Sequence, residues 1–160
     1  MNEIRPLRPN DALDDLIALS RAFFAEYESH HPAFFKIDDL RDEHVVNRFT
    51  SWLEDEDKET FIAISDGRIV GYINIYVQDQ APFWQVKRIG HISGLMVALD
   101  YRRRGIAGQL LAAAQAFFQQ KGVRYFTVYT AVANHPALQF YEQSGMIPLH
   151  TTFLGKLEDI

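Results

Sequence analysis

The chain has 160 residues, 48% of them hydrophobic and 23% charged, with a net charge of −5. That length supports one domain with a real core, and the acidic balance argues against the basic face that general nucleic-acid binding requires. There is no cysteine, which excludes a disulfide scaffold, a thiolate metal site and a cysteinyl-acyl intermediate together. No apolar run approaches the ~20 residues of a membrane span, and the opening Met1-Asn2-Glu3-Ile4-Arg5-Pro6 lacks the apolar stretch of a secretory signal. No repeat, low-complexity tract or linker divides the chain, and the acidic run Glu54 to Asp57 reads as a solvated loop. The expectation is a single cytoplasmic domain over residues 1–160, without nucleic-acid or membrane partners.

In chain order, Ile4 to Pro9 reads as an edge strand, where Pro6 and Pro9 are tolerable. Asn10 or Asp11 caps a helix to about Glu26, with Leu13, Leu16, Ile17, Ser20 and Phe24 at helical spacing. An aromatic stretch from Tyr27 to Phe35, broken by Pro32, precedes a second helix from Asp39 to Leu53 whose stripe is Val45, Val46, Phe49 and Trp52. Thr60 to Ser65 and Arg68 to Val77 form a hairpin about Asp66-Gly67. After a connection bearing Pro82, Phe83 and Trp84, a strand runs from Val86 to Leu99, and a helix from Ile106 to Gln120 is stopped by Gly122. That helix should face Ile106, Leu110, Leu111, Ala114, Phe117 and Phe118 inward. A strand from Tyr125 to Val132, a short helix from His135 to Ser144, and strands from Met146 to Leu149 and Thr151 to Leu157 complete the order β-α-α-β-β-β-α-β-α-β-β. Hairpins followed by a βαβ crossover imply an α/β domain with a mixed sheet and helices on its faces.

The stretch from Asp100 to Leu111 carries the first chemical signal. An apolar strand enters a turn rich in arginine and glycine, and a helix leaves it. The first N–H groups of that helix have no internal partner and sit at the positive end of its dipole, which suits an anion. Gly105 permits close backbone approach, and Ala107 and Gly108 keep the first turn free of bulk. A surface turn with a fortuitous arginine cluster remains an alternative on these residues alone. The chain has no Gly-x-x-x-x-Gly-Lys-Ser/Thr loop, and the turn lacks the first glycine of Gly-x-Gly-x-x-Gly.

Arg102-x-x-Gly105-x-Ala107 at this turn resembles the Gln/Arg-x-x-Gly-x-Gly/Ala signature of the GNAT superfamily of acyl-CoA N-acyltransferases. Leu95-Met96-Val97 lies where that family has its central strand. Asn134-His-Pro-Ala137-Leu-Gln-Phe140-Tyr141-Glu142-Gln-Ser-Gly145-Met146 is similar to the family's Asn-x-x-Ala-x-x-Phe-Tyr-Glu-x-x-Gly-Phe ending, and the hairpin about Asp66-Gly67 looks like its first hairpin. The likeness is strong from Gly90 to Met146, moderate from Thr60 to Val77, and only architectural over the first 59 residues. It implies a mixed, mostly antiparallel sheet of about six or seven strands with about four helices.

The resemblance implies acetyl-CoA as co-substrate, no metal, and transfer of its acetyl group to a primary amine by direct attack in a ternary complex. A non-catalytic acyl-CoA-binding module of the same fold is the alternative. By the family pattern the diphosphate lies on Arg103, Arg104, Gly105, Ile106, Ala107 and Gly108, with Arg102 at the signature position. Pantetheine lies against Leu95, Met96 and Val97, the Val97 N–H polarises the thioester carbonyl, Asn134 contacts the pantetheine arm, and Tyr141 protonates the departing thiolate. His91 stands where several family members have a glutamate base; water, Glu26 or Glu28 are the other candidates. Some members carry a base on the next strand, at the place of Tyr129. His30-His31 lacks the spacing of a helical metal pair. The acceptor could be a small molecule or a peptide. Glu26, Glu28 and Asp38 tilt the expectation toward a cationic one, and homodimerisation, common in the family, is a further expectation.

Overall fold

The structure, a computed structural model, describes residues 2–158. Its elements are β1 (Glu3–Pro6), α1 (Asp14–Glu28), α2 (Asp42–Trp52), β2 (Lys58–Ser65), β3 (Arg68–Asp79), β4 (Arg88–Val97), α3 (Ile106–Gln120), β5 (Phe126–Val128) and α4 (His135–Gln143), with a 3-10 turn at Leu99–Tyr101. One sheet holds the strands in the order β1-β2-β3-β4-β5. Neighbours are antiparallel except β4 and β5, which are parallel and joined by the α3 crossover that such pairing demands. At the β2–β3 turn Asp66 and Gly67 take φ values of 53° and 72°, the left-handed pair that matches a twisted two-residue hairpin.

The sheet separates two apolar layers. On one face all six inward positions expected on α3, from Ile106 to Phe118, are buried against Ile73, Ile75, Ile92 and Val97. On the other, Leu16 and Leu19 of α1 and Val45 and Phe49 of α2 close over Ile62, Tyr72 and Met96. Each fully buried aliphatic or aromatic side chain contributes about 1.5–3 kcal/mol. Leu13, Ile17, Phe24, Val46 and Trp52, expected in the same stripes, are only partly covered. Two such helices over one sheet face leave their shared border open.

Three expectations are corrected. Neither Asn10 nor Asp11 caps α1, which begins at Asp14 without a side-chain cap. Asp11 instead receives the Arg5 guanidinium at 2.8 and 2.7 Å and the Arg8 N–H at 2.7 Å. The Arg5 hydrogen bonds hold its carboxyl down to about 2, and a charge-assisted fork outcompetes a single capping bond. The strand expected from Tyr125 to Val132 covers only Phe126–Val128. Finally, 146–158 form no strands, so the sheet has five strands among the described residues and the chain order ends at α4. Strand-forming composition alone does not make a strand, since an unpaired strand leaves its main-chain groups to water. Ile147, Leu149, Phe153 and Leu157 are exposed as a result. The class holds: a mixed, mostly antiparallel sheet with four helices.

Candidate active site in the gap between two parallel strands

β4 and β5 pair only from Gly90↔Phe126 to Ile92↔Val128. Beyond Ile92, β4 continues for five residues to Val97 with no strand on that side among the described residues. Ala98 N–H donates to Val70 O at 2.7 Å, so strand alternation turns the Val97 and Leu95 N–H groups away from β3 and toward the gap. Opposite Asn74 and Ile75 the register slips and Ser93 is the extra residue, since Gly94 pairs with Asn74 while Ile92 pairs with Ile75. This bulge bends β4 and places the buried Gly94 between two cavities. Glycine is not demanded by crowding here, because the nearest atom to an added Cβ would be Asn74 Oδ1 at 3.6 Å.

The smaller cavity, about 60 Å³, occupies the gap and is lined by Gly94, Leu95, Tyr129, Asn134, Ala137 and Tyr141 among others. At the end of β4 the chain enters the turn into α3. Arg103 and Gly105 both take left-handed φ, at 62° and 81°. For arginine that conformation costs about 1–2 kcal/mol, and such turns gather successive N–H groups into an anion-binding concavity. The first bond of the α3 ladder is Gln109 N–H to Gly105 O at 3.1 Å, so the N–H groups of Ile106, Ala107 and Gly108 precede it and stay free. A Cβ built on Gly105 or Gly108 meets nothing within 4 Å. Exposed Arg103 and Arg104 flank the turn, Arg104 over the Tyr101 ring at 5.0 Å. The arrangement suits a ligand with several anionic oxygens.

Arg102 acts differently from its neighbours. Its Nε donates to Val97 O at 2.9 Å and its NH2 group to Glu26 Oε1 at 2.6 Å. The side chain therefore ties the end of β4 to α1 and fixes the last carbonyl of the open edge. Met96 projects to the opposite face, buried with Tyr72 and Phe49, with its sulfur 3.6 Å from Arg102.

From α4 come Asn134 and Tyr141. Asn134 Oδ1 accepts the Ala137 N–H at 3.3 Å as the helix N-cap, which leaves its amide NH2 as a donor at the gap. Tyr141, half-buried, lines the same cavity, and burial raises its hydroxyl well above the usual phenol range. It is therefore a protonated donor throughout the neutral range.

His91 of β4 is 4% exposed, between the Tyr76 ring at 5.2 Å and the Tyr129 ring at 4.7 Å. Its Nδ1 is 2.8 Å from Thr127 Oγ1, and burial lowers its pKa. It borders neither cavity directly. Of the carboxylates considered as bases, Glu26 is held by Arg102 and Glu28 accepts the Ile37 N–H at 2.7 Å. His31 Nδ1 accepts the Phe34 N–H at 2.9 Å, and among the described residues no cluster of three or more metal-ligating side chains forms.

The larger cavity, about 220 Å³, lies on the other side of Gly94 where α1 and α2 part over the sheet. Phe23, Phe24, Phe49 and Tyr72 form its apolar walls, with His44 and Arg48 at its polar side. Burial pushes the Tyr72 hydroxyl up to about 12, a rise opposed by its bond with Ser20. Sequence reading missed Phe23, which lines both cavities, and Ser93 and Arg48. Periodicity marks Phe23 as one more aromatic on a helix, and nothing local signals that Arg48 turns toward a cavity.

Residues 19–146 match the model of the Acetyltransferase (GNAT) family, and the chain belongs to it. An uncharacterized N-acetyltransferase of Bacillus subtilis, YhfO, is 31% identical over 93 residues, 58% of this chain and 61% of that protein, so the match spans about three fifths of that relative. An N-alpha-acetyltransferase of Saccharolobus solfataricus is 26% identical over 83% of this chain and 73% of its own. Among solved structures, a tetramutant of the BH1408 protein from Bacillus halodurans superposes with a TM-score of 0.83 at 19% identity, over 97% of this chain and 99% of the other. Aminoglycoside N-acetyltransferase AAC(6')-Iy in complex with CoA gives 0.76 at 19% identity, over 99% and 96%.

Proposed function

We propose that the chain is an acetyl-CoA-dependent N-acetyltransferase acting on a primary amine, without a covalent enzyme intermediate. The observation that carries this reading is the open edge of β4 from Leu95 to Val97, which runs up to the free N–H groups at the start of α3. Membership of the acetyltransferase family supports the reaction type, and the CoA complex of a fold neighbour supports the donor.

The turn from Arg103 to Gly108 fits a diphosphate, because it combines free N–H groups, flanking guanidinium groups and open space over two glycines. Leu95 and Val97 would hold the pantetheine amides as a neighbouring strand would, with the Asn134 amide as an added donor. Acetyl-CoA supplies an activated acyl group. The Val97 N–H would donate to its carbonyl oxygen as charge builds there, a role worth about 10²–10³ in rate for one donor. Tyr141 would give its proton to the departing sulfur. Arg102 is a positioning residue: by fixing Val97 O it sets the direction of the neighbouring peptide groups.

The amine arrives as an ammonium and must lose a proton before attack. The larger cavity, across Gly94 from the donor gap, is proposed to take the amine. His91 is the proposed base, reached from that cavity through water, with Nδ1 engaged by Thr127 and Nε2 left to accept. Burial lowers its pKa, so its basic form persists to below pH ~6.5 and is lost as pH falls through the lowered value. The acidic limb of kcat/KM should lie below pH ~6.5 and vanish in His91→Ala. An unchanged limb in that variant removes His91 from the role. The donor half is tested by titration calorimetry with acetyl-CoA: saturable binding at one site per chain is expected, and no binding at millimolar ligand contradicts the reading.

A further inference from the structure

The acceptor cavity has a charge opposite to the one a cationic substrate needs. Among the described residues no carboxylate lines it, and its charged or titratable members are Arg48, His44 and the Tyr72 phenol. Arg48, half-buried on α2, donates to Ser93 Oγ at 3.1 Å and lies 5.8 Å from the Trp52 ring centroid. Among the described residues it makes no ion pair, and unlike Arg8, Arg103, Arg104 and Arg124, which also make none but are exposed, it is half-buried and lines a cavity. The carboxylates that suggested a cationic acceptor are engaged elsewhere: Glu26 with Arg102 and Glu28 with the Ile37 N–H. Asp38 is exposed and does not line the cavity.

Resting on the function proposed above, we propose that the acceptor is a small amine that also carries a carboxylate, with an apolar or aromatic body. Its carboxylate pairs with the Arg48 guanidinium beside Ser93, its body packs against Phe23, Phe24 and Phe49, and its amine points past Gly94 into the gap. The Ser93 bulge serves this arrangement by bringing Arg48 against the same turn of β4 that borders the donor gap. A planar guanidinium beside aromatic walls selects a carboxylate on an apolar frame. A cavity of about 220 Å³ lies below the roughly 300–1,000 Å³ that drug-sized ligands occupy. A polycationic aminoglycoside or polyamine would meet a like charge there and find no carboxylate to receive it.

The test compares kcat/KM, by release of the CoA thiol, for phenylalanine, phenylalaninamide, phenethylamine, spermidine and kanamycin. Phenylalanine should exceed its amide and phenethylamine by roughly 10- to 100-fold, the worth of a charged hydrogen-bonded contact. Arg48→Gln should erase that ratio and Arg48→Lys should restore part of it. Acetyl-CoA titration of both variants checks that the donor site is intact. Spermidine, kanamycin or phenethylamine as the best substrate overturns the proposal while leaving acetyl transfer standing, as does an unchanged ratio in Arg48→Gln. Thiol release with none of the amines, from protein that binds acetyl-CoA, overturns the transferase reading and this proposal with it. A second readout does not need turnover: with CoA saturating, N-acetylphenylalanine should raise the Tm of the wild type and not of Arg48→Gln. Equal shifts in the two contradict a carboxylate site at Arg48.

Discussion

Replacing Tyr141 by Phe should lower kcat by about 10²–10⁴ at saturating substrates, the usual contribution of a positioned general acid. The substitution removes one hydroxyl from a half-buried side chain beside Phe140 and keeps the ring that packs against the α3 layer. Acetyl-CoA affinity and Tm should therefore stay near the wild-type values, and the loss should fall on kcat. The deficit should shrink for acyl donors whose leaving thiol has a lower pKa, since a better leaving group needs less protonation. A tenfold loss or less in kcat, or an equal deficit for every leaving group, would take Tyr141 out of the acid's role.

Gly108→Glu should separate folding from donor binding. Gly108 is exposed in the first turn of α3, with nothing within 4 Å of an added Cβ. Glutamate is a better helix former than glycine by roughly 0.5 kcal/mol, and a carboxylate in the first turn is favoured by the dipole by about 0.3–1 kcal/mol. The Tm should hold or rise. Acetyl-CoA binding should weaken by about 10²-fold or more, because the new carboxylate would face a diphosphate across a short gap, and like-charge juxtaposition costs several kcal/mol. Thermal denaturation and titration calorimetry on the same sample read both effects. An affinity equal to that of the wild type would move the diphosphate away from this turn.

What could be read from the sequence was local and periodic. The buried face of α3 follows from a long stripe whose spacing admits one helical phase, and Asp66-Gly67 allows few turns other than the one observed. The turn from Arg102 to Gly108 was legible because its residue types and its place between strand and helix carry the chemistry. Relations between distant residues were not. Asp11 looks like a cap until Arg5 folds across to it. Arg102 stands at the family's signature position, and only the fold shows that Glu26 of α1 and Val97 O hold its side chain. The segment after Gly145 has strand composition, but a strand also requires a neighbour, and β5 is too short to show one in its sequence. Arg48 gains meaning only from the carboxylates that are missing around it. The proposed donor half is thus written mostly in the stretch from Leu95 to Gly108, with Asn134 and Tyr141 added from beyond it, whereas the proposed acceptor half emerges from packing between α1, α2 and the bulge of β4.

The reaction itself is tested most directly by mixing the protein with acetyl-CoA and a panel of primary amines, and following free CoA thiol and acetylated amine together. The two products should form in equal amounts, in many turnovers per chain, with at least one amine, and the rate should collapse in Gly108→Glu. Saturable binding of acetyl-CoA with no thiol released by any amine would contradict acyl transfer and leave a donor-binding module of the same fold.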